Sequence, residues 1–456
     1  MADYEVAVIG GGTGNNVAAA AADAALETAL VEPGPLGGTC LNRGCNPSKI
    51  LIQRATVANT VREAGRFGVD ATLEGIDFPG IVDEMRTTLS GIAEGMEARY
   101  REREHLTLYD STARFVDDRT IEVDGETITA DRMVVAAGSR PVIPPIDGLA
   151  EASHLTSAEA LYLEELPERM VILGGGYIAV ELGYFFESMG TDVAIVEMLE
   201  TLVPREDGAV AEAFTEIAER RHDVYTGHRV TSVSEDAHGI TVHAETEAGE
   251  TRTITGDELL VAVGRRPNTD TLAVETGGIE TDDRGFVETN EYLETTAENV
   301  WAQGDIAGNF LFKHSGDYET RTTVANVVED ARRPIDFSAM PHVIFTEPQI
   351  AGVGATEDEL VDAGREYHVG TARFSDSAMG RAKKLEEGFV KALAAPDGEL
   401  LGCQVIGHEA STLIHETVIA MRAGVDAGTV GEAIHAHPTL SRVIESAVRD
   451  LPMLEG

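Results

Sequence analysis

Two cysteines five residues apart, Cys40 and Cys45, lie in the run Gly37-Gly38-Thr39-Cys40-Leu41-Asn42-Arg43-Gly44-Cys45-Asn46-Pro47-Ser48-Lys49. In a regular helix such a pair sits about 7.5 Å apart along the axis and about 140° around it. A disulfide needs Cα atoms within about 4.4–6.8 Å, so bridging the pair demands a distorted segment, which Gly44 and Pro47 permit. A strained, accessible disulfide is readily reduced and suits redox chemistry. Two free thiols, or half a zinc site, are the other readings. Zinc favours closer cysteine spacing and a second ligand pair. The third cysteine, Cys403, lies in an apolar strand-like run and is expected as a small buried residue. His408-Glu409 and His415-Glu416 lack the second histidine of a zinc-protease helix, so no metal site is expected.

The elements that must position this pair follow a pattern of strand, glycine turn and helix that occurs twice. Residues 5–9 lead into Gly10-Gly11-Gly12-Thr13-Gly14 and an alanine-rich helix; residues 170–173 lead into Gly174-Gly175-Gly176-Tyr177 and a helix over 178–189. Each unit continues into a second apolar strand, residues 28–31 and 192–196, that ends in an acid, Glu32 or Glu197. Glycines at such a turn allow tight chain reversal, close approach of a pyrophosphate and close helix–strand packing, while the acid takes ribose hydroxyls. Gly10, Gly12 and Glu32 fit, as do Gly174, Gly176, Ala179 and Glu197. Asn15 stands where the first unit should have its third glycine, a departure to be absorbed by packing against Ala18 and Ala19. Two dinucleotide units in one chain point to a relay, FAD plus a nicotinamide dinucleotide. The expected fold is α/β, with two Rossmann-like domains and a C-terminal α+β domain. The FAD-binding domain is discontinuous, residues 1–148 and 269–339; the NAD(P)-binding domain spans 149–268, and the last domain 340–456.

Aspartate and glutamate total 79 against 35 lysines and arginines, for a net charge of −44. Only five residues are lysines: Lys49, Lys313, Lys383, Lys384 and Lys391. A globule so charged repels itself in dilute buffer, whereas at molar salt the screening length shrinks to roughly 3 Å. A halophile's cytoplasmic protein is the economical reading, and nucleic acid and anionic membranes are excluded as primary partners. No basic leader precedes the first strand, and no uncharged apolar stretch is long enough to span a membrane.

The cysteine run and the two glycine turns resemble those of the FAD-dependent pyridine nucleotide-disulfide oxidoreductases, which include glutathione reductase, dihydrolipoamide dehydrogenase, mycothione reductase and mercuric reductase. The likeness extends along the chain. It takes in residues 295–305, similar to a flavin-binding segment ending in Asp305, and residues 134–141, similar to the strand that crosses between domains. It also covers Pro341-His342-Val343-Ile344-Phe345-Thr346 and His435-Ala436-His437-Pro438-Thr439.

The resemblance implies that hydride passes from nicotinamide to flavin and electrons then reach a Cys40–Cys45 disulfide. Cys45 would form the charge-transfer thiolate, and Cys40 would attack the substrate. His437 of the other subunit in a homodimer with shared active sites would protonate the departing thiolate. Lys49 would lie by the flavin and pair with Glu181, and Tyr177 would gate the nicotinamide pocket. The cofactor-binding residues so implied are Gly10, Gly12, Thr13, Gly14, Glu32, Gly38, Thr39, Lys49, Ala113, Ala137, Gly138, Asp305 and Lys313 for FAD, and Gly174, Gly176, Tyr177, Ile178, Glu197 and Gly264 for the nicotinamide dinucleotide.

The family places a glutamate five residues after its histidine; here that position is Arg442. Arginine cannot accept the imidazole N–H, so Glu445 is a candidate orienting acid, and Arg442 is expected to bind substrate carboxylates instead. The family's mercuric reductases carry a C-terminal cysteine pair, whereas residues 450–456 contain no cysteine. Gly14-Asn15 and Phe312-Lys313-His314 are mycothione-reductase-like. Together with the halophilic composition they bring the likeness nearest to the haloarchaeal enzymes that reduce bis-γ-glutamylcystine, which implies NADPH; Glu197 leaves NADH open. Dihydrolipoamide dehydrogenase is the alternative enzyme, and a flavin-containing redox sensor without turnover the alternative of another class.

Overall fold

The computed structural model describes residues 2–452. Residues 453–456, part of the cysteine-free end, lie outside them. The first sheet is built on the strand Tyr4–Ile9, whose apolar residues are buried on both faces, as a parallel strand under helices requires. It pairs in parallel with Thr28–Val31 and with Glu126–Val135. Leu106–Tyr109 extends one side, and Val300–Ala302, arriving from far along the chain, pairs with Glu126–Val135. An antiparallel extension, Thr120–Val123 and Ala113–Asp117, completes the sheet.

The second sheet repeats the order of the parallel core: Asp223–Tyr225, Asp192–Val196, Arg169–Leu173, Glu258–Val261. In both sheets the first strand of the unit sits inside and the chain crosses over beside it. That switch point opens a crevice at the carboxyl ends of the strands, where the glycine turns lie. A short antiparallel link, Ser139–Pro141 with Arg265–Pro267, joins the two units.

The third sheet is antiparallel, in the order Pro341–Ile344, Gln349–Gly354, Leu400–Gly407, Phe389–Ala394, His368–Arg373. Helices Ala410–Arg422 and Arg442–Arg449 cover it, burying Ile414, Ile444 and Val448 against Val390 and Val405. Cys403 is buried in this sheet, and burial pushes its thiol up to about 12, so it is an inert core residue. Among the described residues no helix is long and apolar enough to cross a membrane.

Candidate active site

The cysteine run breaks where its glycine stands. Helix Gly38–Arg43 ends and helix Cys45–Glu63 begins at Gly44, whose φ of −151° and ψ of −109° are not helical. A side chain at that position would press to 3.0 Å from the Thr39 carbonyl oxygen. The break turns Cys40 back toward Cys45 as a pair of half-buried thiols, and the Cys40 thiol lies 3.7 Å from Asn46 Oδ1. Distortion at Gly44, required by the cysteine spacing, is therefore present.

The two sulfurs are electrostatically unequal. Cys45 is lowered to about 7, first by the hydrogen bond from the Cys40 thiol and then by the Lys49 ammonium, against the cost of burial. Cys40 moves the other way: donating that bond, burial and the charge on Cys45 all make its proton harder to remove, and Lys313 only partly offsets them. Of the two, Cys45 gives up its proton the more readily. Lys49 reaches Glu181, on helix Tyr177–Met189, at 2.5 Å.

Both cysteines face one cleft of about 1390 Å³ that runs between the two glycine turns. In the first turn Gly10 has φ +110°, and a Cβ there would strike the Ala136 carbonyl at 2.2 Å. In the second, Gly174 at φ +103° meets Ala262 the same way. Glu32 and Glu197 play identical local parts. Each is buried, each accepts the amide of the middle glycine (Gly11 or Gly175) at 2.6 Å, and each takes a second amide two residues on. Gly12 and Gly176 leave room for a pyrophosphate: a Cβ on Gly12 would meet only Gly38 at 3.9 Å, and one on Gly176 nothing within 4 Å. These cradles fit FAD at the first turn and a nicotinamide dinucleotide at the second.

Of the residues singled out from sequence, Thr13, Gly38, Thr39, Ala113, Ala137, Gly138, Asp305 and Lys313 line the first part of the cleft, and Tyr177, Ile178 and Gly264 the second. Gly14 does not line it. A Cβ on Gly14 would lie 2.8 Å from Val8 and 2.9 Å from Ala136, so it performs the helix–strand packing assigned to the third glycine. Asn15 is consequently relieved of that role. It faces helix Phe78–Arg101 rather than Ala18 and Ala19, with Nδ2 at 3.3 Å from the Met96 sulfur and its carbonyl accepting the Tyr100 hydroxyl.

His437 and Arg442 also lie away from the cleft of their own chain. His437 is exposed, three residues along the chain from a fully exposed Ile434. Arg442 is 3.4 Å from Glu445, and Glu445 itself stands near His435 and Arg449. His435, not His437, is the histidine held by acids: its Nε2 lies 2.5 Å from Glu416. Burial opposes the charge on His435, and the Glu416 bond overcomes it, raising its pKa.

Sequence reasoning missed several groups here. Glu319 is buried, accepts the Gly304 amide at 2.5 Å beside Asp305, and is pushed up to about 7 by burial. Arg265 donates to Ser139, which bonds Asp305. Glu206 is buried behind Tyr177. None belongs to a local motif, so no spacing pointed to them.

The comparisons agree with this geometry. A family model described as pyridine nucleotide-disulphide oxidoreductase matches residues 4–331, and its dimerisation domain matches residues 340–448. The chain belongs to the pyridine nucleotide-disulphide oxidoreductase family. It is 34% identical to dihydrolipoyl dehydrogenase 3 of Haloarcula marismortui, covering 98% of this chain and 96% of that one. It is 35% identical to a mycothione reductase of Mycobacterium tuberculosis, over 99% and 100%. A solved structure of the HOCl-induced flavoprotein disulfide reductase RclA from Escherichia coli superposes with a TM-score of 0.86 at 27% identity, covering 99% of this chain and 100% of that one. This family member is an NAD(P)H-dependent flavoprotein oxidoreductase with a dimerisation domain.

Proposed function

We propose that the protein reduces a small anionic disulfide, bis-γ-glutamylcystine in the first instance, and so maintains the cytosolic thiol pool of a salt-adapted cell. The observation that carries this reading is the Cys40–Cys45 thiol pair facing a cleft between two dinucleotide turns. FAD held at the Gly10–Gly12 turn would supply two-electron chemistry between a nicotinamide dinucleotide at the Gly174–Gly176 turn and the cysteine pair. The chain's own residues do the rest. Lys49, held by Glu181, stabilises negative charge on Cys45. Cys40 attacks one sulfur of the substrate disulfide; a mixed disulfide forms and the first thiolate leaves. The Cys45 thiolate then attacks the Cys40 sulfur, releasing the second thiolate and leaving a Cys40–Cys45 disulfide to be reduced again. The two departing thiolates take up one proton from Cys40 and one from solvent.

Cys40 has to lose its proton to react, yet Cys45, Asn46, Lys313 and Asp317 of its own chain offer it no free base: Asn46 Oδ1 accepts the thiol at 3.7 Å, and Asp317 is paired with Lys313. A base from a second subunit answers that need, and exposed His437, three residues along the chain from the apolar Ile434, is the group we assign. Lys313 supplies a cation next to Cys40 in a chain poor in lysine. That favours an anionic disulfide over neutral lipoamide, because a substrate bearing four carboxylates needs local positive charge against so acidic a globule. For the nicotinamide carrier we assign NADH. Glu197 is buried behind the second glycine turn, where its carboxylate would oppose a 2′-phosphate; Arg205 is exposed at the same cleft and acts electrostatically on Tyr177.

The test is a substrate panel in molar salt: bis-γ-glutamylcystine, oxidised glutathione, lipoamide and Hg(II), each with NADH and NADPH. Highest kcat/KM for bis-γ-glutamylcystine supports the reading, and highest for lipoamide replaces it with dihydrolipoamide dehydrogenase. Cys40→Ser should still bleach its flavin with reduced nicotinamide but reduce no disulfide. Disulfide turnover retained in that variant would show the pair to be structural.

A further inference from the structure

Glu206 and Asp207 stand side by side immediately before helix Gly208–Ala218, and both are buried. Asp207 is the better fastened. It accepts the Ala209 amide at 3.1 Å, the Glu357 amide at 3.0 Å, and the Lys391 ammonium at 2.7 and 2.9 Å. Lys391 lies in strand Phe389–Ala394 of the third sheet and also reaches Glu357 at 2.5 Å. This step of the nicotinamide unit is therefore stitched to the C-terminal domain by a buried ion cluster.

The adjoining Glu206 spends its two carboxylate oxygens on two different partners. One accepts the hydroxyl of Tyr177; the other lies 2.8 Å from Nε2 of His342, which donates to it. The Glu206 side chain is fully shielded from solvent. Tyr177 heads its helix directly after Gly176, and its ring lies beside those of Phe312 at 5.8 Å and His342 at 6.3 Å, nearly parallel to both, the three forming a triangle whose third side, Phe312 to His342, is 6.4 Å. Two stacking contacts and one charge-assisted hydrogen bond, the stronger class of such bonds, hold one ring at the nicotinamide end of the cleft.

We propose that Glu206 is a positioning residue, a latch that holds the Tyr177 ring across the nicotinamide pocket, with His342 and the Asp207–Lys391 pair tying the latch to the C-terminal domain. The proposal rests on the reading of Tyr177 as the lid of that pocket. A dinucleotide that needs the ring displaced binds only the unlatched fraction, so its apparent affinity is reduced by that fraction. Latching is thus a built-in limit on nicotinamide affinity, and it makes access depend on how the C-terminal domain is seated.

The experiment measures NAD+ binding to the FAD-loaded dimer by calorimetry, alongside KM and kcat for NADH and the thermal midpoint. The variants are Tyr177→Phe, which keeps the ring and removes the hydroxyl, Glu206→Gln, which keeps the shape and removes the charge, and Tyr177→Ala, which removes the lid. We expect all three to bind NAD+ about tenfold more tightly or better. KM for NADH should fall in step, kcat should not rise, and the thermal midpoint of Tyr177→Phe should be near wild type. Tighter binding in Tyr177→Ala with wild-type affinity in both Tyr177→Phe and Glu206→Gln would overturn the latch and leave the lid standing. Unchanged affinity in Tyr177→Ala would overturn the lid itself. Weaker binding in Tyr177→Phe and Glu206→Gln would also overturn the proposal, making Tyr177 a platform for the nicotinamide rather than a barrier to it.

Discussion

Lys49 and Glu181 are joined at 2.5 Å across two helices, one beginning at the Gly44 break and the other at the second glycine turn. The second oxygen of Glu181 accepts the Phe345 amide at 2.9 Å, and the Lys49 ammonium lies 4.6 Å from the Phe345 ring centre. One acid therefore positions the cation of the redox site against all three domains. A lysine on a flexible stem gains a fixed place only through such anchoring.

The pair controls the acidity of Cys45, so Cys45 reactivity is expected to follow pH with a midpoint near 7 in the reduced protein. Only the thiolate is alkylated, so the rate of iodoacetamide modification at Cys45 should rise as pH increases through that value. Lys49→Met removes a stabilising charge and should move the midpoint upward. Cys40→Ala removes the leading contribution, the hydrogen bond, and should move it further, toward the ordinary thiol value of roughly 8.5. Peptide mapping by mass spectrometry across neutral pH checks both shifts, and one midpoint shared by all three proteins would sink the assignment.

Glu197 is expected to set the nicotinamide preference. Its carboxylate is buried, and an acid at this point of a dinucleotide unit would repel a 2′-phosphate and accept ribose hydroxyls. Glu197→Gln keeps an acceptor for the Gly175 amide while removing the charge. The NADH-to-NADPH ratio of kcat/KM should fall by about 10-fold or more, the scale of one charge-assisted contact. A ratio unmoved by the substitution would place discrimination elsewhere.

With a net charge of −44 per chain, the assembly should depend on salt. The screening length is about 3 Å at 1 M ionic strength and about 30 Å at 0.01 M. Lowering KCl should dissociate the dimer and then unfold it, with disulfide reduction lost at the first step if, as proposed, the base on Cys40 comes from the second subunit. Light scattering, circular dichroism and activity followed together would show that order. A monomer that turns over at full rate would refute the shared site.

Glu319 gives stability its own pH signature. Burial raises its pKa from 4.5 to about 7 in the folded protein, so the folded state keeps a proton that the unfolded chain has released. The stability this group contributes is fully present below 4.5 and is lost progressively as pH rises toward 7. Glu319→Gln mimics the protonated form and should flatten that slope, with a gain of up to about 3 kcal/mol at neutral pH. Chemical denaturation at a series of pH values measures the difference; equal slopes in both proteins would show that Glu319 is solvated.

The parts of this protein that its sequence determined alone are those governed by short-range geometry. Two glycine turns, each between an apolar strand and a helix and each followed by an acid, specify dinucleotide units because turn, helix start and acid lie within one supersecondary unit. The Cys40–Cys45 spacing likewise demanded a broken helix, and Gly44 supplies it. Even so, local pattern misplaced one detail. Gly14, not the residue at the third glycine position, makes the close contact with Val8, because which face of a helix meets a strand is decided by packing.

Everything that tunes the site was decided by the tertiary structure. Lys391 meets Asp207 across 184 residues, and His342 meets Glu206 across 136. The physical reason is common to both. A charge's partner is whatever the folded chain brings within a few ångströms of it, and burial sets how strongly the two interact. Neither distance nor burial is carried by the spacing of residues along the chain.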